Sequence, residues 1–218
     1  MAEPTPAANF VWFEGLDCGT FAGVEADRYQ KDLPLAKASS PEVLVAYAMN
    51  GEPLGRERGG PVRLVVPGWF GTNSTKWLCR LSIQQGRAPG PYTTQFYNIE
   101  DPDDPNCRPV PVWAVDVNSI ITKPSPEKAE KGPHVAIEGW AWSHDGVVRV
   151  EISLDNGDSW LDTQVEPRKE FSWQKFRSTV VLRSGGYLIV ARATSLGKRR
   201  QPLVKRRNHV HAVQFCVE

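Results

Sequence analysis

The sequence predicts a mainly β protein of two domains, the second of which is a two-sheet sandwich. Glycine and proline, 18 of each in 218 residues, interrupt short apolar runs throughout the chain. Long stretches with helical periodicity are almost absent, which favours short strands joined by turns. A proline-rich and acidic stretch at residues 86–111 separates a first group of apolar runs from a second, and its composition is typical of a linker.

Composition excludes several functional classes. Hydrophobic residues make up 40% of the chain and charged residues 23%, with a net charge of +1, which is ordinary for a globular protein. This charge gives no reason to expect binding to nucleic acid or to a membrane surface, and no apolar run has the length of a membrane span. Residues 1–9 lack the basic and apolar regions of a secretory signal, so we expect a disordered tail. The four scattered cysteines predict an intracellular, reduced location, cytoplasmic with a mitochondrial alternative.

In residues 10–85, four segments predict regular structure. The run from Val11 to Asp17 is a strand that leads into a turn, and Arg63 to Val66 is a buried strand. The run from Val43 to Met49 ends at Asn50-Gly51, a dipeptide of tight turns, but Ser40-Pro41 before it would also suit the start of a helix. Residues 74–83 carry apolar side chains at helical spacing, although a further strand also fits.

Residues 112–218 contain about seven short strands with turn signals between them, as an immunoglobulin-like sandwich requires. The clearest alternation of apolar and polar side chains runs from Val148 to Ser153, and the turn Asp155-Asn156-Gly157-Asp158 follows it. The predicted strands are 115–122, 135–142, 148–153, a return strand from Trp160, 171–182, 187–194 and 210–217. Three tryptophans in this region, Trp140, Trp142 and Trp160, are expected in the sandwich core or in a dimer interface.

Four ordered blocks in the first half carry a resemblance to a known family. They are Phe13-Glu14-Gly15-Leu16-Asp17, the segment 44–54, the segment 60–68 with Pro61-Val62-Arg63, and Thr75-Lys76-Trp77-Leu78. Two blocks in the second half, at 139–143 and 150–160, continue the match. In this order the blocks resemble sulfite oxidases and assimilatory nitrate reductases, a family of molybdopterin oxidoreductases. The resemblance implies a truncated α+β sulfite-oxidase-type molybdopterin domain at 10–85, a linker at 86–111, and the family's dimerisation domain at 112–218.

The resemblance also implies a cofactor, Mo-molybdopterin, and the residues that would contact it. Asp17 matches the family's acidic cofactor contact, Arg63 matches the arginine of its Pro-Val-Arg block, and Ser74, Thr75 and Lys76 match the segment that grips the pterin. A guanidinium, hydroxyls and an ammonium suit an anionic phosphate. Arg58 stands where sulfite oxidases have a histidine. Arginine keeps a hydrogen-bond donor at this position, but its side chain differs in shape from that of histidine.

Two further positions correspond to catalytic residues of the family. Tyr97 lies near the active-site tyrosine, after a shift of one residue, and Arg207 lies in the region of the substrate arginine. The family's molybdenum is ligated by a cysteine in a Cys-Ala-Gly-Asn-Arg-Arg context, which none of the four cysteines here has, so no metal ligand is assigned. The implied reaction transfers an oxygen atom to or from a small oxyanion such as sulfite, in a homodimer formed through the sandwich.

Two alternative functions stay open. One is a non-catalytic dimerisation or scaffold protein derived from the family, and the other is a protein whose old cofactor cleft serves an unrelated substrate. The basic residues of 198–207 suit an anion funnel or a nuclear signal, but a solvated loop between the last two strands is the simpler interpretation. His209 and His211 lie two positions apart on a predicted strand and suit a metal, yet two ligands without a third make a poor site.

Overall fold

The computed structural model describes residues 4–100, 106, 108–126, 128–204 and 206–218. The chain forms two compact units, Met1–Ala114 and Val115–Glu218. Parts of two predicted features, the acidic residues Asp101 to Pro105 of the linker and Lys205 of the basic segment, lie outside the described residues, as does Cys107. In the described part of the chain, no helix is long and apolar enough to cross a membrane.

The first unit is built from short strands around one three-stranded antiparallel sheet. Its strands are β1 (Phe10–Gly15), β2 (Gly19–Phe21), β3 (Val24–Ala26), β4 (Tyr29–Pro34), β5 (Leu44–Ala46), β6 (Ala48–Met49), β7 (Glu52–Pro53), β8 (Arg63–Val65), β9 (Leu78–Gln84), β10 (Asn98–Glu100) and β11 (Pro109–Pro111). Strand β1 lies between β4 and β9, and the other strands form two-stranded ladders. Two helices of four residues, α1 (Leu35–Ala38) and α2 (Pro91–Thr94), and two 3-10 turns, Arg56–Arg58 and Gly71–Asn73, complete it.

Both segments whose secondary structure the sequence left open are strands. Residues 43–49 contribute β5 and β6, and β5 pairs with β8. Residues 78–84 form β9, which pairs along the length of β1. The helical spacing of Trp77, Leu78 and Leu81 rests on three side chains only, too few to outweigh the backbone hydrogen bonds that a neighbouring strand offers. A small core of Phe13, Leu33, Leu64 and Val66 lies beside these strands.

The described residues of the predicted linker, 86–111, pack within the first unit. Ala88 is fully buried, and its backbone N–H donates to Asp32 Oδ2 at 2.8 Å. Arg87 Nε donates to the same oxygen at 2.6 Å. The proline-rich composition suggested a solvated connector, but a small side chain and two donors to a buried carboxylate anchor this stretch.

The second unit is an immunoglobulin-like sandwich, as predicted. Its strands are β12 (Asn118–Lys123), β13 (His134–Trp142), β14 (Val147–Ser153), β15 (Leu161–Asp162), β16 (Gln164–Val165), β17 (Gln174–Val181), β18 (Gly185–Ser195) and β19 (His211–Val217). One sheet has the order β12-β13-β17-β16 and the other β15-β14-β18-β19. Side chains from both sheets, among them Ile137, Ile152, Phe176, Ile189 and Phe215, form one buried core between them.

Trp140, Trp142 and Trp160 lie outside the core of the sandwich. Trp140 is 39% exposed, and Trp142 stacks on Trp173 with ring centroids 4.1 Å apart. Trp160 packs against Arg192, whose guanidinium carbon lies 3.8 Å from the centroid of the Trp160 ring. In β13 the core positions are Val135, Ile137, Gly139 and Ala141. Because side chains in a strand alternate between its two faces, Trp140 and Trp142 lie on the opposite face. The core alternative for these side chains was therefore wrong.

Candidate functional site

Arg63 lies at the centre of the residues that the sequence singled out in the first unit. Its Nη1 donates to the carbonyl oxygen of Arg58 at 3.0 Å, its Nη2 to that of Ser74 at 3.1 Å, and its Nε to that of Leu64 at 3.3 Å. A guanidinium has five N–H groups, so two remain after these contacts. We call Arg58, Arg63, Ser74, Thr75 and Lys76 the Arg63 cradle.

Backbone hydrogen bonds hold the two loops of the Arg63 cradle against each other. Leu64 N donates to Thr75 O at 2.8 Å, and Trp77 N donates to Gly59 O at 3.0 Å. Gly59 has a φ of 88°, and a Cβ there would lie 2.7 Å from the Cβ of Lys76. Only glycine combines this left-handed backbone with the close approach of Lys76.

Lys76 and Ser74 of the Arg63 cradle each retain a hydrogen-bond donor after their contacts with the backbone. Lys76 Nζ donates to the carbonyl oxygen of Glu57 at 2.8 Å, which uses one of the three ammonium N–H groups. The Ser74 hydroxyl accepts a hydrogen bond from Val66 N at 3.1 Å, which leaves its own proton to donate. The backbone therefore fixes the positions of both side chains, while each retains a donor that suits an anion.

Two buried polar atoms, one in the Arg63 cradle and one beside it, have no hydrogen-bond partner among the described residues. They are the hydroxyl of Thr75, a residue that is 1% exposed, and Oδ1 of Asp17. A Cβ on Gly15 would lie 2.6 Å from Asp17 Oδ1 and 3.2 Å from Thr75 Cγ2, which places both groups around the same glycine. Burial raises the pKa of Asp17, and its own backbone N–H and the charge of Lys76 oppose the shift. Such orphaned groups mark a place that a ligand or an ordered water completes.

Arg58 contributes to the Arg63 cradle through its backbone. Its carbonyl oxygen accepts from Arg63, while its side chain is exposed. The structure therefore brings Arg63, Ser74, Thr75, Lys76 and Asp17 together and leaves the Arg58 guanidinium in solvent. The cofactor contact expected for the Arg58 side chain stays a prediction.

Tyr97 belongs to a cluster of aromatic rings in the first unit. Its ring stacks on that of Tyr92, with centroids 6.4 Å apart, and it is 36% exposed. Beneath it lies Lys31, whose Nζ is 5.4 Å from the Tyr97 ring centroid. Sequence reasoning missed Lys31 and its neighbour Asp32, which are 1% and 0% exposed. The available signal was a charged pair inside a strand-length run that ends in Leu33.

Arg207 lies in the second unit, where its Nε donates to Asp116 Oδ2 at 3.0 Å. His209 and His211 have different neighbours. His209 Nδ1 lies 2.7 Å from Arg206 O, whereas His211 Nδ1 accepts from Ile121 N at 3.1 Å. Burial lowers the pKa of His211, in agreement with a neutral acceptor ring. Within the described ranges no three His, Cys, Asp or Glu residues form a group suited to a metal ion.

Two family models match consecutive parts of the chain. The oxidoreductase molybdopterin-binding domain matches residues 1–92, and the Mo-co oxidoreductase dimerisation domain matches residues 110–211.

Known proteins show the same relationship. Mitochondrial sulfite oxidase of Homo sapiens is 36% identical over 209 residues, 88% of this chain and 37% of that protein. A nitrate reductase of Phaseolus vulgaris is 28% identical over 74% of this chain and 21% of its own length. Among solved structures, the sulfane dehydrogenase SoxCD from Paracoccus pantotrophus superposes with a TM-score of 0.77, at 27% identity over 98% of this chain and 58% of that chain.

The chain spans about a third of the length of the mammalian sulfite oxidases that it matches. The matches nonetheless run through both units, and they include the loops that form the Arg63 cradle. This chain therefore belongs to the sulfite oxidase and nitrate reductase family of molybdopterin oxidoreductases.

Proposed function

We propose that this chain supplies the pterin-binding loops and the dimerisation domain of a sulfite-oxidase-like oxidoreductase, which moves an oxygen atom to or from a small oxyanion such as sulfite. The Arg63 cradle carries the proposal, because its cations are fixed by backbone carbonyls and still have donors to spare. Structural ion pairs on a protein surface would instead saturate these cations with carboxylates.

The residues present fit the implied cofactor, Mo-molybdopterin. Arg63, Lys76 and the Ser74 hydroxyl offer N–H and O–H donors to a phosphate, and Asp17 Oδ1 is a buried acceptor without a partner. The N–H edge of a pterin supplies the donors that such a carboxylate needs. When bound, the cofactor supplies oxygen-atom transfer at molybdenum.

We assign Tyr97 to the reacting centre, where its hydroxyl donates a hydrogen bond and holds a proton. We assign the recognition of the oxyanion to Arg207. The Arg207 guanidinium is held by Asp116 at 3.0 Å, so an anion must share it with this carboxylate or displace it. We assign the metal-ligating thiolate to a segment outside this chain. None of the four cysteines lies in the Cys-Ala-Gly-Asn-Arg-Arg context of the family's ligand, and Cys18, Cys79 and Cys216 are exposed.

The test is pterin and molybdenum content after expression in a host that makes the cofactor, with the cysteine-bearing segment supplied. Lys76→Met keeps the contacts of the side-chain stem with Gly59 and removes the charge. We expect an affinity loss of about tenfold or more, because a charge-assisted hydrogen bond contributes about 1.5–3 kcal/mol. Arg80→Met, an exposed cation on β9, is the matched control and should retain wild-type content. A wild-type protein without pterin and molybdenum under these conditions would refute the catalytic proposal.

The second candidate is a scaffold that dimerises without catalysis. One observation favours it: Arg63 and Lys76 already bind carbonyl oxygens, so the loops close without a ligand. The scaffold predicts wild-type dimers with no pterin, and the pterin assay separates the two candidates.

Under both candidates we expect a homodimer through the sandwich. Trp140, at 39% exposed, and the stacked pair of Trp142 and Trp173 offer the apolar area that such an interface needs. Light scattering at micromolar concentration should give twice the mass of the chain. Replacing Trp140 and Trp173 with serine should shift the equilibrium towards monomer by at least tenfold, since buried aromatic anchors dominate interface energies. A wild-type monomer at this concentration contradicts the expectation.

A further inference from the structure

Lys31 is the most deeply buried cationic side chain among the described residues, and the proposed function does not use it. It lies on β4, opposite Phe13 of β1, and it is 1% exposed. An ammonium group in such a place loses most of its hydration, so it persists only where the protein replaces the lost contacts. Its partners therefore indicate what the charge does.

The hydrogen-bond acceptor of Lys31 and the aromatic ring beside its ammonium both belong to the segment that carries Tyr97. Its Nζ donates to the carbonyl oxygen of Tyr92, in α2, at 2.9 Å. The same Nζ lies 5.4 Å from the centroid of the Tyr97 ring, within the range of a cation–π interaction. Tyr97 has a φ of 57°, an uncommon backbone conformation for a residue with a side chain, which the surrounding contacts must maintain. One buried cation thus ties α2 to the sheet and attracts the ring of Tyr97.

We propose that Lys31 is a positioning residue for Tyr97, because the Lys31 ammonium holds the Tyr97 ring in place. When Lys31 loses its proton, the ring is released. The proposal rests on the proposed function for its catalytic meaning, because Tyr97 is the side chain assigned to the reacting centre. A neutral amine exerts no cation–π attraction and donates a weaker hydrogen bond to the Tyr92 carbonyl. The position of Tyr97 thereby becomes dependent on pH.

The surroundings of Lys31 place its titration within reach of experiment. Burial lowers the pKa of Lys31 to about 8, with Asp32 opposing the shift and Arg87 adding to it. Asp32 lies on the same strand, and Arg87, which follows β9, binds it at 2.6 Å. From β1 the facing residue is Phe13, and from α2 and the turn after it the groups are the carbonyl oxygen of Tyr92 and the ring of Tyr97. The phenol of the neighbouring Tyr29 has a pKa that burial raises, so it stays neutral while Lys31 titrates.

The test follows the tyrosine rings by NMR in protein labelled with ¹³C at the tyrosine Cε positions, without cofactor. The chain has five tyrosines, and Tyr97→Phe identifies the signal of interest. Between about pH 6.5 and about pH 9, the Tyr97 signal should shift with a midpoint near 8, the pKa of Lys31. A Tyr97 signal that is constant over this range would overturn the proposal, and this arm needs no variant at Lys31.

Three variants assign the titration. Lys31→Met should abolish the shift, and Lys31→Arg, which stays charged, should keep the signal at its low-pH position throughout. Lys37→Met is the matched control, because Lys37 also places an ammonium near an aromatic ring, 5.6 Å from the centroid of Trp69. It should leave the midpoint unchanged. A shift that survives in Lys31→Met belongs to another group and contradicts the proposal.

A second readout separates this proposal from the proposed function. In cofactor-loaded enzyme, kcat should fall about tenfold between pH 7 and pH 9 as Lys31, with a pKa of about 8, loses its proton. KM should change less than kcat, and Lys31→Arg should flatten the profile. If the Tyr97 signal titrates but no pterin is bound, the proposed function fails and the positioning role stands. If pterin is bound and the signal does not titrate, the positioning role fails alone.

Discussion

Replacing Arg63 with alanine is expected to abolish pterin retention and to destabilise the first unit by about 2–4 kcal/mol. The guanidinium donates to the carbonyl oxygens of Arg58, Leu64 and Ser74, which come from both loops of the Arg63 cradle. Alanine leaves these acceptors without their charged donor, and a half-buried carbonyl regains only part of the loss from water. The same change removes the donors that the proposal assigns to the phosphate.

Urea unfolding measures the stability arm, and pterin fluorescence after oxidation measures the ligand arm. The stability and the pterin content of Arg63→Lys should lie between those of wild type and Arg63→Ala. A single ammonium restores the charge but cannot reach three carbonyls as the fork of a guanidinium does. Arg80→Ala, on the exposed side of β9, should match wild type in both measurements. An Arg63→Ala protein with undiminished pterin would exclude the Arg63 cradle as the binding site.

Gly139→Ala is expected to destabilise the sandwich by about 3 kcal/mol or more and to prevent dimer formation. A Cβ at this position would lie 2.2 Å from the carbonyl oxygen of Ile120 and 2.3 Å from Cζ of Phe176. Ile120 O belongs to the neighbouring strand β12, so it cannot move without disturbing the ladder, and Phe176 is fully buried in the core. Overpacking at such a point forces strands apart or side chains off their rotamers.

Denaturant unfolding followed by tryptophan fluorescence, with light scattering on the same samples, measures both effects. Gly186→Ala is the matched control, since a Cβ there meets no atom within 4 Å on strand β18. It should change stability by less than about 0.5 kcal/mol. Adding Phe176→Leu to Gly139→Ala should recover part of the loss, because it relieves one of the two close contacts. Equal stability of Gly139→Ala and wild type would contradict the packing argument.

The sandwich was predictable because its strands obey a simple rule. Side chains on β13 alternate between the core and the outer surface. On β14 the alternation predicted for residues 148–153 is only partly met. Val150 and Ile152 lie in the core, but Val148 is exposed beside a register shift, and Glu151 and Ser153 are buried. The same rule places Val135 and Ile137 in the core of the sandwich. It therefore places Trp140 and Trp142 on the outer surface. Their size suggested a core position, but register determines the face of a side chain and its volume does not.

The first unit was harder to predict because its strands are short and its core is small. Residues 74–83 suited a helix as well as a strand, and only pairing with β1 decides between them. The predicted linker contains Ala88, whose burial depends on a carboxylate 56 residues earlier in the chain. Composition reports local preferences, and it carries no information about such long-range partners.

The sequence by itself determined the family, the order of the two domains and the identity of the cradle cations Arg63 and Lys76, because these depend on residue types at short spacing. The tertiary structure alone decided that the carbonyl oxygen of Arg58 accepts a hydrogen bond from Arg63 and that Lys31 lies beneath the Tyr97 ring. Lys31 and Tyr97 are far apart in the chain, and their approach depends on how β4 and α2 pack. A buried charge acquires its role from the neighbours that replace its water, and only the folded chain brings those neighbours to it.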